Sequence, residues 1–284
     1  LADKGSTSVY HMLGLGMDYV RFAGNYDQRD LMHIWRDDLV IHPDDLPLLA
    51  AFLKDSRAQR YTEMTARFRK RDGVYIWCKA ALTCLRDGNG TPKRYIGTLN
   101  DVDSATRSVL ALKYRAEFDL LTDIYNMHTF YSQAAQAVHA YPERRYSIVR
   151  MDIDRFKVIN DLYGLKEGDK ILITIADFLR EKMAGTHSVY GRLGGDVFCL
   201  CVDYPRERIL ALIRELTDRL ADYPLPYKVV PSFGICEVDN ADTPINVLCD
   251  WANLALKTIK GNYLSPTLMY NGMLKPLQNY TIKG

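Results

Sequence analysis

The chain has 284 residues, about two domains' worth at roughly 100 to 200 residues each, and each can bury its own core, which excludes a small stapled scaffold. It is 48% hydrophobic and 25% charged, with 18 Gly and 11 Pro; neither a low-complexity segment nor a solenoid-length repeat appears, so disordered and collagen-like classes fall away. Lys and Arg total 37 against 35 Asp and Glu, a net charge of +2, which provides no general field for nucleic acid or an anionic membrane, so any anionic ligand must be held locally.

From about Tyr10 to Asp103 the pattern is short strands and turns with one helical stretch. His42-Pro43-Asp44-Asp45, followed by Leu46, Leu48, Leu49 and Phe52, reads as a turn whose Asp caps a helix. Tyr61 to Arg69 and Val74 to Leu85 flank Arg71-Asp72-Gly73 and predict a hairpin, and Asp87-Gly88-Asn89-Gly90 leads into a third strand at Tyr95 to Leu99. The expected product is an antiparallel sheet with helices on one face, an α+β domain. His42-Pro43-Asp44-Asp45, then Phe68-Arg69-Lys70-Arg71-Asp72-Gly73-Val74-Tyr75-Ile76-Trp77, then Gly97-Thr98-Leu99-Asn100-Asp101-Val102, resembles the second half of a PAS sensor domain. Val9 to Leu31 is less typical of that family, and the ligand stays unknown. His33 and His42 offer haem ligation, although a lone histidine more often serves as a hydrogen-bonding residue. The remaining alternatives are a small-ligand sensor and a PAS fold used only to dimerise.

Between Ser104 and Phe118, Ala105, Val109, Leu112 and Ala116 recur at helical spacing. Two heptads are short for a coiled coil. The helix is expected either to pack on its own domain or to pair with its twin in a homodimer.

From Asp119 the chain alternates strand and helix. Strands are expected at Tyr146 to Met151, Val197 to Val202 and Val229 to Cys236, and helices at Asp169 to Met183, Arg206 to Leu220 and from Asp242-Thr243-Pro244 to Lys260, with Pro244 in the first turn. Such an order suggests a βαββαβ-type sheet covered by helices. Asp152-Ile153-Asp154 ends a buried strand, where carboxylates can meet a divalent cation. Gly194-Gly195-Asp196 sits in a hairpin, where glycines let backbone N–H groups approach phosphate. Each has a plain alternative, a solvated strand end and an ordinary turn; their joint occurrence favours a site.

Asp119-Leu120-Leu121-Thr122, Asp152-Ile153-Asp154-Arg155-Phe156-Lys157-Val158-Ile159-Asn160-Asp161, Gly164, Gly168-Asp169, Arg192-Leu193-Gly194-Gly195-Asp196-Val197-Phe198, Ser232-Phe233-Gly234 and Ala255-Leu256 to Lys260 resemble a GGDEF domain, the diguanylate cyclase family, over about residues 119–271. In that family two domains face each other, and a metal-assisted attack of each GTP 3′-hydroxyl on the partner's α-phosphate makes cyclic di-GMP. The resemblance implies that Asp152 and the Ile153 carbonyl hold Mg²⁺ or Mn²⁺, that Phe156 and Lys157 contact the triphosphate, and that Asn160 and Asp169 read guanine. Gly194 and Gly195 would give the phosphates room, and Lys260 would reach the terminal phosphates as a point charge. An amide and a carboxylate do match guanine's acceptors and donors.

The family signature Gly-Gly-(Asp/Glu)-Glu-Phe has Val197 at its fourth position here, and valine cannot ligate a cation. Asp196 remains as a catalytic candidate. Leu165 stands where the family has His, Leu264 where it has Arg, and Gly185-Thr186-His187-Ser188 where an inhibitory R-x-x-D would lie. The expected organisation is a PAS-like domain over 1–103, a helical linker over 104–118 and a degenerate GGDEF domain over 119–284. The expected function is a GTP-binding or dimerising regulator of a neighbouring domain such as an EAL phosphodiesterase. An active cyclase and a purely structural dimerisation scaffold are the alternatives. Six scattered cysteines (Cys78, Cys84, Cys199, Cys201, Cys236, Cys249) without metal spacing are expected to be buried reduced thiols in a cytoplasmic protein. No membrane segment is expected, and a chain beginning at Leu1 is expected to be a piece of a longer one.

Overall fold

The computed structural model describes residues 40–70, 72–90, 92–259 and 267–270. His33, Val9 to Leu31, Lys260 and Leu264 lie outside the described residues. The chain divides into two compact units, Leu1–Ala111 and Leu112–Gly284.

In the first unit a 3₁₀ turn, Pro43–Asp45, precedes helix α1 (Leu46–Ala58). Strands β1 (Tyr61–Arg69), β2 (Tyr75–Arg86) and β3 (Pro92–Asp101) then form an antiparallel sheet in that order. The β1–β2 turn follows from its chemistry: Asp72 Oδ1 accepts from Val74 N at 3.0 Å, and Gly73 takes a φ of +85° that a side chain would resist. Alternation along β1 buries Thr62, Met64, Ala66 and Phe68, and the last three pack with Leu49, Phe52 and Leu53 of α1 and with Ile76, Cys78 and Ala80 of β2. The expected cap is corrected in its detail. Asp45 stands at the N-cap of α1 but makes no capping bond; its carboxylate instead takes the guanidinium fork of Arg67, Nε at 2.9 Å and Nη2 at 2.7 Å, together with Arg67 N at 2.8 Å. Two charge-assisted bonds outweigh one capping bond. His42 supplies the local cap, its Nδ1 accepting from Asp44 N.

Helix α2 (Asp103–Glu117) contains the joint between the units and buries none of its residues. Val109 is 54% exposed and Leu112 65% exposed, so the expectation that the stripe packs on its own domain is corrected: the stripe is bare.

The second unit is a six-stranded sheet in the order β4-β6-β7-β5-β8-β9, formed by β4 (Tyr125–Asn126), β5 (Ser147–Ile153), β6 (Val189–Gly194), β7 (Val197–Val202), β8 (Pro231–Glu237) and β9 (Thr267–Tyr270). The inner four, β6-β7-β5-β8, run antiparallel to one another, the arrangement expected of a βαββαβ sheet. Both edges, β4 and β9, pair parallel. Helices α3 (Met127–Ala140), α4 (Phe156–Tyr163), α5 (Leu165–Met183), α6 (Arg206–Ala221) and α7 (Ile245–Ile259) cover it. Val149, Met151 and Ile153 of β5 pack with α5 and α6, whereas Ile148 packs with α3 and α7. The central strand is therefore covered on both faces, and its odd and even positions face different helix layers. All six cysteines are free and buried. No helix among the described residues is long and apolar enough to cross a membrane.

Two helix starts differ from expectation. Helix α5 starts at Leu165 rather than Asp169, because Gly164, at φ +85°, separates it from α4 by a single residue. Pro244 lies just before α7, where its carbonyl accepts from Val247 N and Leu248 N, rather than inside the first turn.

Candidate active site

The two carboxylates at the end of β5 have different fates. Asp154 is buried and accepts from Ser232 Oγ at 2.9 Å, while its N–H bonds the Val230 carbonyl at 2.8 Å. It is a structural fastening between β5 and β8. Asp152 is half-buried and projects from the opposite face to Ile153. The sequence showed two equivalent acids; the end of the strand's alternation separates them.

Beyond the strand, Arg155 turns the chain at φ +55° and starts α4 without a side-chain cap. The first-turn amides, those of Phe156 and Lys157 among them, are thus the kind of donors that accept an anion. Phe156 packs its ring on the core and Lys157 is exposed. One turn on, Asn160 is half-buried, and its Oδ1 is buried without a hydrogen-bond partner among the described residues. That oxygen lies against Gly168 of α5. A Cβ there would stand 1.9 Å from it and 3.0 Å from Phe156 Cζ, so only glycine leaves the amide its place. Asp169 follows, half-buried. Glu167 fixes this turn, accepting from Tyr223 Oη at 2.9 Å and Lys170 Nζ at 2.8 Å. Those bonds hold its carboxyl below the usual range, and burial pushes the Tyr223 phenol up to about 12.

The signature turn joins β6 to β7. Gly194 (φ +132°) and Gly195 (φ +57°) are exposed and take backbone angles that favour glycine. Arg192, to which the motif alone assigns no task, clamps the turn. Its Nε and Nη2 donate to the Gly195 carbonyl at 2.9 and 2.7 Å, and its Nη1 donates to Asp119 Oδ1 at 2.9 Å. The same Asp119 oxygen accepts from Thr122 N and Oγ1. Burial raises the Asp119 carboxyl, and these bonds outweigh it and hold the group below its ordinary value. Asp196 Oδ2 accepts from Ile153 N at 3.1 Å, which fastens the turn to the end of β5. Met151 pairs with Phe198, so one step further Asp152 stands opposite Val197. Phe198 enters the core and Val197 takes the other face, that of Asp152.

The structure thus gathers Asp152, Ile153 and Asp196 at one edge, and Phe156, Asn160, Gly168 and Asp169 at the neighbouring helix pair. Two carboxylates and a carbonyl fit Mg²⁺, which keeps several waters and takes its remaining ligands from substrate phosphates. No cluster of three His, Cys, Asp or Glu side chains suited to a metal occurs among the described residues. At the position of the inhibitory motif there is a turn, in which Thr186 Oγ1 bonds the Met183 carbonyl and accepts from Ser188 N.

Comparison with known proteins agrees with this geometry. Residues 116–263 match the family model described as diguanylate cyclase, GGDEF domain, and residues 26–99 match a PAS fold. The probable diguanylate cyclase DgcT of Escherichia coli (strain K12) is 32% identical over 138 residues, 45% of this chain and 30% of that protein. The diguanylate cyclase DgcS of Shewanella oneidensis is 37% identical over 94 residues, 32% of this chain and 31% of that protein. The chain therefore spans about three-tenths of the length of these relatives. Among solved structures, the coiled coil and GGDEF domain of DgcB from Caulobacter crescentus, in complex with c-di-GMP, superposes with a TM-score of 0.52 at 18% identity, over 59% of this chain and 93% of that one. At that identity it supports the fold alone. With a matched model over more than half its length, an ordered series of site motifs and the corresponding sheet, the chain belongs to the GGDEF diguanylate cyclase domain family, its GGDEF domain preceded by a PAS fold.

Proposed function

We propose that the chain is a cyclic di-GMP signalling module in which the PAS domain (1–103) acts through a helical linker (104–118) on a GGDEF domain (119–284) that binds GTP and has lost most or all of its cyclase activity. The observation that carries this is the unequal state of two half-sites. Asn160 holds a buried, unpartnered amide oxygen beside Gly168 and Asp169, ready for guanine, whereas Val197 faces Asp152 where the signature has a carboxylate.

Asp152, the Ile153 carbonyl and Asp196 would hold Mg²⁺ or Mn²⁺, which supplies charge neutralisation at the phosphates when bound. The protein's own contributions are positional: α4 amides, Phe156 and Lys157 at the phosphates, Asn160 and Asp169 at the base, Gly194 and Gly195 leaving room, and Lys260 as a point charge. Losing a ligand that contributes roughly 3 to 5 kcal/mol of transition-state stabilisation would cost about 10² to 10⁴ in rate. The bare stripe of α2, Ala105, Val109, Leu112 and Ala116, supports a homodimer, and an EAL phosphodiesterase fits as the regulated neighbour. Titrating GTP with Mg²⁺ into the protein and into Asn160→Ala tests the nucleotide role; equal absence of binding in both overturns it.

A working diguanylate cyclase is the second reading, favoured by the bond that keeps Asp196 at the Asp152 edge. Incubation with GTP and Mg²⁺ or Mn²⁺ separates the two, since cyclic di-GMP above the level of an Asp152→Ala control establishes activity.

A further inference from the structure

Arg150 is the misfit of the central strand. Its neighbours on β5, Ile148, Val149 and Met151, are buried and apolar, yet a guanidinium that is always charged stands among them, half-buried. It makes no hydrogen bond or ion pair among the described residues. Its cross-strand partners are Cys199 on β7 and Gly234 on β8, neither of which bears charge. From α3 and α7, Tyr131 and Cys249 lie within its electrostatic reach, and the exposed Asp250 acts on both of them without bonding Arg150. A half-buried arginine whose guanidinium is bonded by no acid side chain among the described residues leaves its donors open to an anion supplied from outside the chain.

Alternation places Arg150 on the same face as Asp152, two residues on and about 6.6 to 6.8 Å along the strand, and on the same face as Val197 in the next strand. Asp152 and Arg150 there balance each other in formal charge. Such a face attracts a divalent cation less than a carboxylate pair would, and it offers a planar donor fork matched to phosphate oxygens.

We propose that Arg150 binds the phosphates of the nucleotide held by this domain, and so supplies from the protein part of the positive charge that a metal ion on a full carboxylate pair would bring. The inference rests on the GTP-binding reading above and adds to it a residue and a regime: nucleotide binding that survives metal removal.

The test measures GTP binding to the full chain and to Arg150→Gln and Arg150→Lys, in EDTA and in Mg²⁺, with thermal unfolding of each variant as the check on folding. The wild type is expected to bind GTP in EDTA within about tenfold of its affinity in Mg²⁺. Arg150→Gln is expected to weaken binding in EDTA by roughly tenfold or more, the scale of a lost hydrogen bond to a charged group, with a smaller loss in Mg²⁺; Arg150→Lys retains the charge and should lie between. Equal affinities of wild type and Arg150→Gln in EDTA overturn the phosphate role while leaving the GTP-binding reading intact. Wild-type binding that vanishes in EDTA overturns the metal-sparing regime. Absence of GTP binding to the wild type in both conditions overturns the nucleotide reading itself, and this inference with it.

Discussion

Asp196 Oδ2 accepts a hydrogen bond from the backbone N–H of Ile153 at 3.1 Å, so the third residue of the signature turn is fastened to the strand end that carries Asp152. Under the proposed reading this bond preserves an edge that could hold metal, although the fourth signature residue is Val197. Reintroducing the acid should then act on a preformed site. Val197→Glu is expected to tighten Mg²⁺-dependent GTP binding by at least about tenfold, the effect of one added charged ligand, and to raise cyclic di-GMP formation above the wild-type level. Chromatography of reaction mixtures with Mg²⁺ and Mn²⁺ checks the second outcome. A variant that folds, binds GTP and still forms no product would place the loss elsewhere, at Leu165 or Leu264.

Under the proposed reading, Asn160 ties binding to instability. Its Oδ1 is buried without a partner among the described residues, a state that costs about 1 to 3 kcal/mol of stability. Asn160→Ala removes that oxygen and also leaves a small void, and the two effects oppose each other. The expected outcome is an unfolding midpoint within a few degrees of the wild type, alongside a loss of GTP affinity of roughly tenfold or more. A parallel collapse of both would mark Asn160 as an ordinary packing residue.

Local chemistry made much of this legible in the sequence. Asp72-Gly73 announces the β1–β2 hairpin because its turn needs both an Asx acceptor and a positive φ. The strand β7, Val197 to Val202, stands out because it is buried on both faces and reads as an unbroken apolar run. Helix α3 did not stand out: its buried positions Phe130, Ala134 and Val138 are spaced by fours but diluted by His, Gln and Tyr. The signal that could have found it is Asn126, whose side chain caps it through Thr129 N. The tasks of Arg192 and Asp154 were invisible for another reason. Their partners Asp119 and Ser232 lie 73 and 78 residues away, and only the sheet order brings them together.

Gly168 has one steric task. A methyl group there meets Asn160 Oδ1 at 1.9 Å and Phe156 Cζ at 3.0 Å, and both belong to side chains that can move. Gly168→Ala is therefore expected to fold, since alanine also favours a helix interior by about 1 kcal/mol over glycine. GTP affinity should fall by roughly tenfold or more as the amide is displaced. Calorimetric titration together with a thermal melt reads both.

Arg192 joins Asp119 to the Gly195 carbonyl through one planar fork. Lysine carries the same charge and cannot make that geometry. Arg192→Lys should leave the thermal midpoint nearly unchanged while loosening the signature turn. Faster hydrogen exchange at residues 194–196 is the expected readout, and unchanged exchange there would show that β6 and β7 hold the turn without the clamp.

The first unit carries its own pH dependence. The hydrogen bonds from the Arg67 guanidinium, joined by its backbone N–H, hold the Asp45 carboxyl below its ordinary value despite partial burial. A group whose folded pKa is depressed stabilises the fold fully above its unfolded pKa, about 3.9 for Asp, and the stabilisation disappears as pH falls through the lower folded value. Asp45→Asn should thus cost about 1.5 to 3 kcal/mol at neutral pH, the scale of charge-assisted bonds. The gap between the two proteins should close below about pH 4. Urea midpoints for the transition of this unit, measured from pH 7 down to pH 3, check the sign. A gap that stays constant with pH would assign the loss to packing rather than to the ionised pair, because packing does not depend on whether Asp45 carries a proton.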